Sequence, residues 1–527
     1  MAAAELVFCR GSGEKNQQGR PVLIVGQLAH LHRLTWDKVK DKLPPPVREE
    51  AWKTALRSLR PNPTDVCPLW LNSAAVAALP GRVSRHNTPS SAHFLLRLVR
   101  SCLPEETSQH IVVVCERPAV FASACALARA SPLFSRRSGR GRPGERRRVT
   151  AEFLCVKPGD QALAPETLTA KSIRLAARIV DTPCSEMSTD DFLQAVMPLQ
   201  EIREVGLELG IVPSVVRGEE LHKKGFGGIY GVGKAARSPP ALAVLSHAPE
   251  GATQTVAWIG SGIVYNTGGL TLKGKTLMPG AKRDCAGAAA VLGAFRAAVK
   301  QGFKENLHAV FCLAENSIGP KATRPDDILR LYSGKTVEVN STDAGGRLAL
   351  ADGAVYASRD LKADIIVGIG NLTAAQGVVT GRYHAGLLTN SAEWEKACVR
   401  AGRTSGDLVH PLVFTPELHI SEFSSAMADM KNFVSDRSNA QCSCAGLFLG
   451  AHIGFNWSGV WIDVDMGCPA YSGDRATGYG VAFLLALFGQ AADDAELQMV
   501  SPLGSVADGH VENCEPAGSA LKRKRLV

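Results

Sequence analysis

Thr255-Val256-Ala257-Trp258-Ile259-Gly260-Ser261-Gly262-Ile263-Val264-Tyr265-Asn266-Thr267-Gly268-Gly269-Leu270-Thr271-Leu272-Lys273 is the stretch whose reading decides the fold. Thr255 to Ile259 is a short, mostly apolar run, the composition of a strand covered on both faces. The glycines after it mark a loop. Asp284 to Lys300 is Ala-rich and reads as a helix, and Leu307 to Leu313 reads as a second buried strand. Strand, loop, helix and strand in that order make a parallel crossover unit.

The same alternation continues on both sides. Ser172 to Val180 reads as a helix that stops before Pro183, Thr336 to Val339 as a strand, Arg347 to Ser358 as a helix and Ala363 to Ile369 as a strand. The expected fold is α/β, with a C-terminal domain built on a mixed, mostly parallel sheet flanked by helices on both faces. Ligand sites in such sheets form beyond the carboxyl ends of the strands, which directs attention to the loops 260–284 and 340–347. Val22 to Val25, Ile111 to Val114 and Glu152 to Val156 read as strands of a separate α/β half, with Ala92 to Leu103 as a helix, and no residue cluster there suggests chemistry. The 527 residues exceed one ordinary core. The expected division is an N-terminal domain over 1–168, a second domain over 169–490 and a polar, disordered tail over 491–527.

Composition excludes several classes. A hydrophobic share of 45% and a charged share of 21% fit a globular protein rather than a disordered one. The longest apolar run, Val481 to Phe488, is too short to span a bilayer. The fourteen cysteines show no disulfide-framework or zinc-finger spacing, and Cys442 with Cys444 is a lone close pair, so free thiols in a reducing compartment are expected. Met1 to Glu5 opens without a signal-peptide pattern. The expected location is the cytoplasm, with the Lys522-Arg523-Lys524-Arg525 run matching a nuclear import pattern. The net charge of +9 is concentrated in that run and in Arg136, Arg137, Arg140, Arg142, Arg146, Arg147 and Arg148. Neither run carries interleaved aromatics or a flanking binding motif, so a solvated loop and tail are expected and a nucleic-acid role is the weakest reading.

Two loops hold the distinctive residues, one running to Lys273 and on to Asp284, the other reading Asn340-Ser341-Thr342-Asp343-Ala344-Gly345-Gly346-Arg347. With these the chain resembles the leucine aminopeptidase family. Leu175-Ala176-Ala177-Arg178-Ile179-Val180-Asp181-Thr182-Pro183, Ala428-Asp429-Met430-Lys431-Asn432 and Arg475-Ala476-Thr477-Gly478-Tyr479-Gly480 are similar to further landmarks of that family. The resemblance implies hydrolysis of the N-terminal residue from a peptide by two divalent ions, Mn²⁺ or Zn²⁺, which share bridging carboxylates and activate a water. It also implies a homohexamer, or a mixed hexamer with relatives. By position it assigns a carbonyl-polarising lysine to Lys273 and a bicarbonate-holding arginine to Arg347. Of five metal-ligand positions, Asp284 and Asp343 keep the family's aspartates. The lysine ligand falls on Ser261, a bridging aspartate on Asn266 and the bridging glutamate on Gly345.

Those three departures bear on the chemistry. A neutral amide oxygen is a weak ligand for a hard divalent ion, Ser261 supplies no amine and Gly345 has no side chain. Even outer contacts to a metal site are worth about 10–100-fold in affinity, and direct ligands more. Ser341 and Asp463 depart as well, at positions where the family usually has Asn and His. The first expectation is therefore a weakly active or inactive homologue, and the second an active metal-dependent aminopeptidase. Each residue also has an ordinary reading: Asp284 as a helix N-cap, Asp343 as a turn residue, Lys273 as a surface lysine, and Arg347 as the partner of Asp343 or Asp352. Cys285 as a substitute ligand, Glu315 near the site, and His384, His410 and His419 are all expected to be structural or solvent-facing.

Overall fold

The computed structural model describes residues 4–9, 19–71, 73–104, 107–138, 147–157, 167–193 and 201–503. The larger sheet has eight strands, in the spatial order Val409–Pro411, Ala385–Thr389, Val460–Asp465, Ile365–Gly370, Thr255–Asn266, Asn306–Asn316, Ala241–His247 and Ser214–Arg217. The four central strands, Val460–Asp465 to Asn306–Asn316, run parallel. Antiparallel pairings on both flanks make the sheet mixed. Helices Thr167–Asp181, Ala286–Lys300 and Val481–Leu487 cover one face, and Gly227–Gly233, Gly345–Arg359 and Gln441–Ile453 the other. Along the central strand Val256, Trp258 and Val264 pack to the first face and Ala257, Ile259 and Ile263 to the second, the two-residue period of a strand buried on both sides.

That strand does not give way to a loop at Gly260. It continues to Asn266, with Ser261 opposite Cys312 and Asn266 opposite Asn316. Being central, it is held by a neighbour on each side through Gly260. The glycine serves helix packing: a Cβ on Gly260 would stand 2.4 Å from Ala288 Cα. Ser261 and Asn266 are thus strand residues, and the loop begins at Thr267. Thr336–Glu338 is a strand, but it lies in a separate three-stranded sheet with Ile328–Arg330 and Met430–Lys431. The Asp429 carboxylate draws it there by accepting from Thr336 N at 2.8 Å.

The N-terminal half is a six-stranded sheet ordered Glu5–Cys9, Arg148–Cys155, Gln109–Cys115, Val22–Gln27, Ala74–Leu79 and Asp65–Trp70. All neighbours are parallel except the last pair. Helix Glu49–Ser58 covers one face with Trp52. Helices Ala92–Cys102 and Val120–Ala130 cover the other, and the apolar cluster there continues without a break into the helices of the second half. Within it Arg129 Nη2 lies 2.5 Å from Asp407 Oδ1, both side chains buried.

The folded chain also runs past 490. Helix Ala495–Val500 is capped by Asp494, whose carboxylate accepts from Leu497 N, and it buries Leu497 and Val500. The expected tail is corrected for 491–503; its remainder, including Lys522-Arg523-Lys524-Arg525, lies outside the described residues, as do Arg140, Arg142 and Arg146. Arg136 pairs with Glu186, so the described part of the arginine run is partly neutralised. No helix among the described residues is long and apolar enough to cross a membrane.

Candidate functional site

The site forms where the carboxyl ends of the two central strands Thr255–Asn266 and Asn306–Asn316 meet the turn before helix Gly345–Arg359. Asn266 is its hub. Its Nδ2 donates to Asp284 Oδ2 at 2.6 Å and to the Asp343 carbonyl at 3.2 Å. Its Oδ1 accepts from Gly268 N at 2.9 Å and from Asn316 Nδ2 at 2.8 Å. Two donors and two acceptor positions are the full capacity of a primary amide, so Asn266 is satisfied by protein alone.

Asp284 is buried on the 3₁₀ turn Ala281–Cys285. Its ordinary alternative reading as a helix N-cap does not hold: helix Ala286–Lys300 starts two residues later from Cys285, with no side-chain cap. The preceding turn carries the carboxylate inward toward Asn266. Burial pushes its carboxyl up to about 7, against the pull of the Asn266 hydrogen bond and the Lys273 charge, and Oδ1 is left without a hydrogen-bond partner. Asp343 is more open. Lys273 Nζ lies 2.5 Å from Asp343 Oδ1, so Lys273 is an ion-paired residue and not a free surface lysine.

Gly345 opens helix Gly345–Arg359. A Cβ there would stand 3.0 Å from Val232 Cγ1 and 3.7 Å from Asn316 Nδ2. Ser261 is fully buried with its Oγ unpartnered, 3.3 Å from where a Gly346 Cβ would stand. Arg347 is also fully buried, and it pairs with neither Asp343 nor Asp352. Its Nη1 donates to Asn432 O at 3.2 Å, its guanidinium lies 4.9 Å from the Phe433 ring centroid, and Nε and Nη2 lack partners. Burial lowers Arg347 to about 10, with Asp465 opposing the shift. Asp352 instead accepts the backbone amides of Ile229 and Tyr332.

The structure therefore brings Asn266, Asp284, Lys273 and Asp343 into one bonded group, with Gly345 and Ser261 at its rim. Among the described residues no group of three or more His, Cys, Asp or Glu is placed to hold a metal ion. Cys285 turns away, donating its thiol to Lys282 O at 3.3 Å, and burial pushes it up to about 12. His384 and His410 meet His86, and His419 meets Thr415, all remote from this group. Asp463 is buried, burial raises its carboxyl well above the usual range, and Oδ1 has no partner.

Two contributors have roles the sequence did not assign: Asn316, which no motif included, and Asn432, which stood only as the end of a family landmark. Asn316 ties Asn266 to the Thr342 carbonyl at 2.9 Å. Asn432 accepts from Asn340 N and Ser341 N and donates to Ser341 O at 2.7 Å, which holds the second loop in place. Asn316 ends a parallel strand, so the carboxyl-end rule was the signal that could have found it.

Residues 174–485 match the catalytic domain of the cytosol aminopeptidase family, and residues 20–140 match an M17 aminopeptidase N-terminal domain. The chain belongs to the cytosol aminopeptidase family. It is 63% identical over the whole of both chains to a human protein called probable aminopeptidase NPEPL1. It is 40% identical to leucine aminopeptidase 1 of Caenorhabditis elegans, over 89% of this chain and 94% of that protein. The solved structure of C. elegans leucine aminopeptidase superposes with a TM-score of 0.87 at 38% identity, over 94% of this chain and all of that one. A Trypanosoma brucei leucyl aminopeptidase in complex with actinonin gives 0.80 at 33% identity, over 92% and 95%. The family is metal-dependent, yet the cytosol aminopeptidase fold here surrounds a group whose residues fit a two-ion centre poorly. Asn266 presents N–H groups to Asp284 and to the Asp343 carbonyl where a cation would need oxygens, and Gly345 presents nothing.

Proposed function

We propose that this chain is a cytosol aminopeptidase homologue whose two-metal centre has been dismantled, with hydrolysis weak or lost and the fold retained. The observation that carries the reading is the Asn266 amide, which bonds to Asp284 Oδ2 at 2.6 Å and leaves none of its own hydrogen-bonding capacity for an ion. Lys273 supports it: its ammonium is engaged by Asp343, not held over an open reaction centre. The position of Gly345 supports it too, since Val232 closes in where a carboxylate stem would start. On this reading Ser261, Asn266 and Gly345 are former ligand positions, Asp284 and Asp343 surviving ones, and Lys273 and Arg347 the residues that once served substrate. What remains is suited to holding a peptide with a free N-terminus, or to joining relatives in a hexamer, in the cytoplasm.

A second reading is favoured by one feature. Asp284 Oδ1 is buried with no hydrogen-bond partner and Asp343 sits beside the same amide, so a single Mn²⁺ or Zn²⁺ between the two aspartates would support residual aminopeptidase activity. Metal analysis of the purified full chain, with a leucine-amide assay in added Mn²⁺, separates the two. The first reading expects substoichiometric metal and no turnover above that of a Lys273→Ala control. Near-stoichiometric metal with turnover abolished by Lys273→Ala would overturn it. Restoring Ser261→Lys, Asn266→Asp and Gly345→Glu together should raise metal binding if the ligands alone were lost.

A further inference from the structure

A cavity of about 960 Å³ lies between the two halves, and arginine dominates its wall. Arg97, Arg100 and Arg129 come from the N-terminal helices, and Arg283 and Arg382 from the C-terminal half. Only two carboxylates line it. Asp407 is already engaged by Arg129 at 2.5 Å, and Asp474 is fully exposed and 4.0 Å from Arg283. Arg97 and Arg382 meet no carboxylate among the described residues; Arg97 instead donates to the Tyr383 hydroxyl at 3.0 Å. Arg97 and Arg382 thus give the wall an excess of positive charge, and a concave wall concentrates such a field.

The cavity is also built for contact beyond charge. His93 lines it with its Nε2 buried and unpartnered, and its ring packs 4.9 Å from Tyr383. Burial and the charge of Arg129 lower His93 to about 4, so the ring is neutral and has an unused polar edge. The Arg283 guanidinium carbon stands over the Tyr471 ring, 3.9 Å from its centroid, a cation–π contact that holds the charged head at the wall. Planar guanidinium groups held at several points match the oxygens of phosphates and carboxylates. The volume falls in the range of small-molecule sites, roughly 300–1,000 Å³.

We propose that this interdomain cavity binds a small organic polyanion carrying two or more phosphate or carboxylate groups. Arg97 and Arg382 meet its charge, His93 donates to or accepts from it, and Arg283 clamps its inner end. Arg283 adjoins Asp284 on the turn Ala281–Cys285, so the ligand would rest on the element that delivers Asp284 to the former metal site. This site is independent of whether that centre retains activity.

The test is isothermal titration of the full chain with tripolyphosphate, with citrate as the carboxylate arm and uncharged inositol as the control. Saturable binding of either anion that weakens with salt is expected, and the stronger arm identifies the anionic group. Arg97→Gln with Arg382→Gln should weaken it by roughly tenfold or more, the scale of two lost charge-assisted hydrogen bonds. Both arginines are exposed and outside the candidate site, and an unchanged melting temperature checks that the variant folds. No binding of either anion at millimolar concentration, or undiminished binding in the double variant, overturns the proposal.

Discussion

Asn266 and Asp284 face each other across 2.6 Å as donor and acceptor, an arrangement that an aspartate at 266 could not make. Asn266→Asp would set two carboxylates against each other in a buried group. It would also replace the N–H that serves the Asp343 carbonyl with an oxygen. The expected loss is about 1–3 kcal/mol of stability. Urea unfolding of the two proteins without metal measures it, and an unchanged midpoint would show that the amide donates nothing of consequence.

Gly345→Glu restores a carboxylate at the expense of packing. The new Cβ meets Val232 Cγ1 at 3.0 Å, in a helix pair with little room to give. A cost of about 1–3 kcal/mol is expected from overpacking, and Val232→Ala should return most of it. Thermal melts of the single and double variants decide this. Equal melting temperatures would mean that Val232 moves aside without help.

Lys273→Ala removes one partner of a half-exposed pair, with side chains 21% and 35% exposed. Stability should change by no more than about 1 kcal/mol. The same variant is the activity control above, so a small stability effect makes any change in turnover interpretable.

His452 sets an acid limit. It is buried against Phe448, with Nδ1 2.7 Å from Ser333 Oγ, and burial, reinforced by Lys335, lowers it from 6.5 to about 3. Above pH 6.5 neither folded nor unfolded chain protonates it, and its neutral form is fully accommodated. As pH falls below that value the unfolded chain takes up a proton that the folded chain refuses, and stability declines by up to about 1.4 kcal/mol per pH unit. His452→Gln keeps a partner for Ser333 and should flatten the stability profile between about pH 6 and pH 4. A profile parallel to the parent would rule His452 out as a source of acid lability.

Arg129→Ala leaves Asp407 buried without its countercharge in the shared core, a loss of about 3–5 kcal/mol. Arg129→Ala with Asp407→Ala should cost less than the sum of the single changes. Additive losses would show that the pair is not coupled.

Much of the architecture was readable because apolar runs such as Thr255–Ile259 and Leu307–Leu313 allow few alternatives, and the alternation around them implies a parallel sheet. Gly260 and Gly262 misled, because glycine in a strand and glycine in a loop look alike until the helix that needs the space is placed. For Asp284 the residue alone could not separate its two readings, because a cap and an inward-turned carboxylate differ by two residues of 3₁₀ turn. Resemblance grouped the site positions. Their present bonding depends on Asn316, fifty residues from Asn266, and on a Lys273–Asp343 pair that spans two loops, and no local pattern encodes either.

Helix Val120–Ala130 buries all but its last residue, with one flank against helix Ala92–Cys102 and the other against Thr167–Asp181 and Ala392–Ser405. The stretch that matches the peptidase domain is therefore not a portable module. Excised at residue 174, it would leave Thr167–Asp181 cut short and Ala392–Ser405 without its cover. That oily strip would invite aggregation and chaperone capture during expression, so an inactive fragment would say nothing about the chemistry of the intact chain.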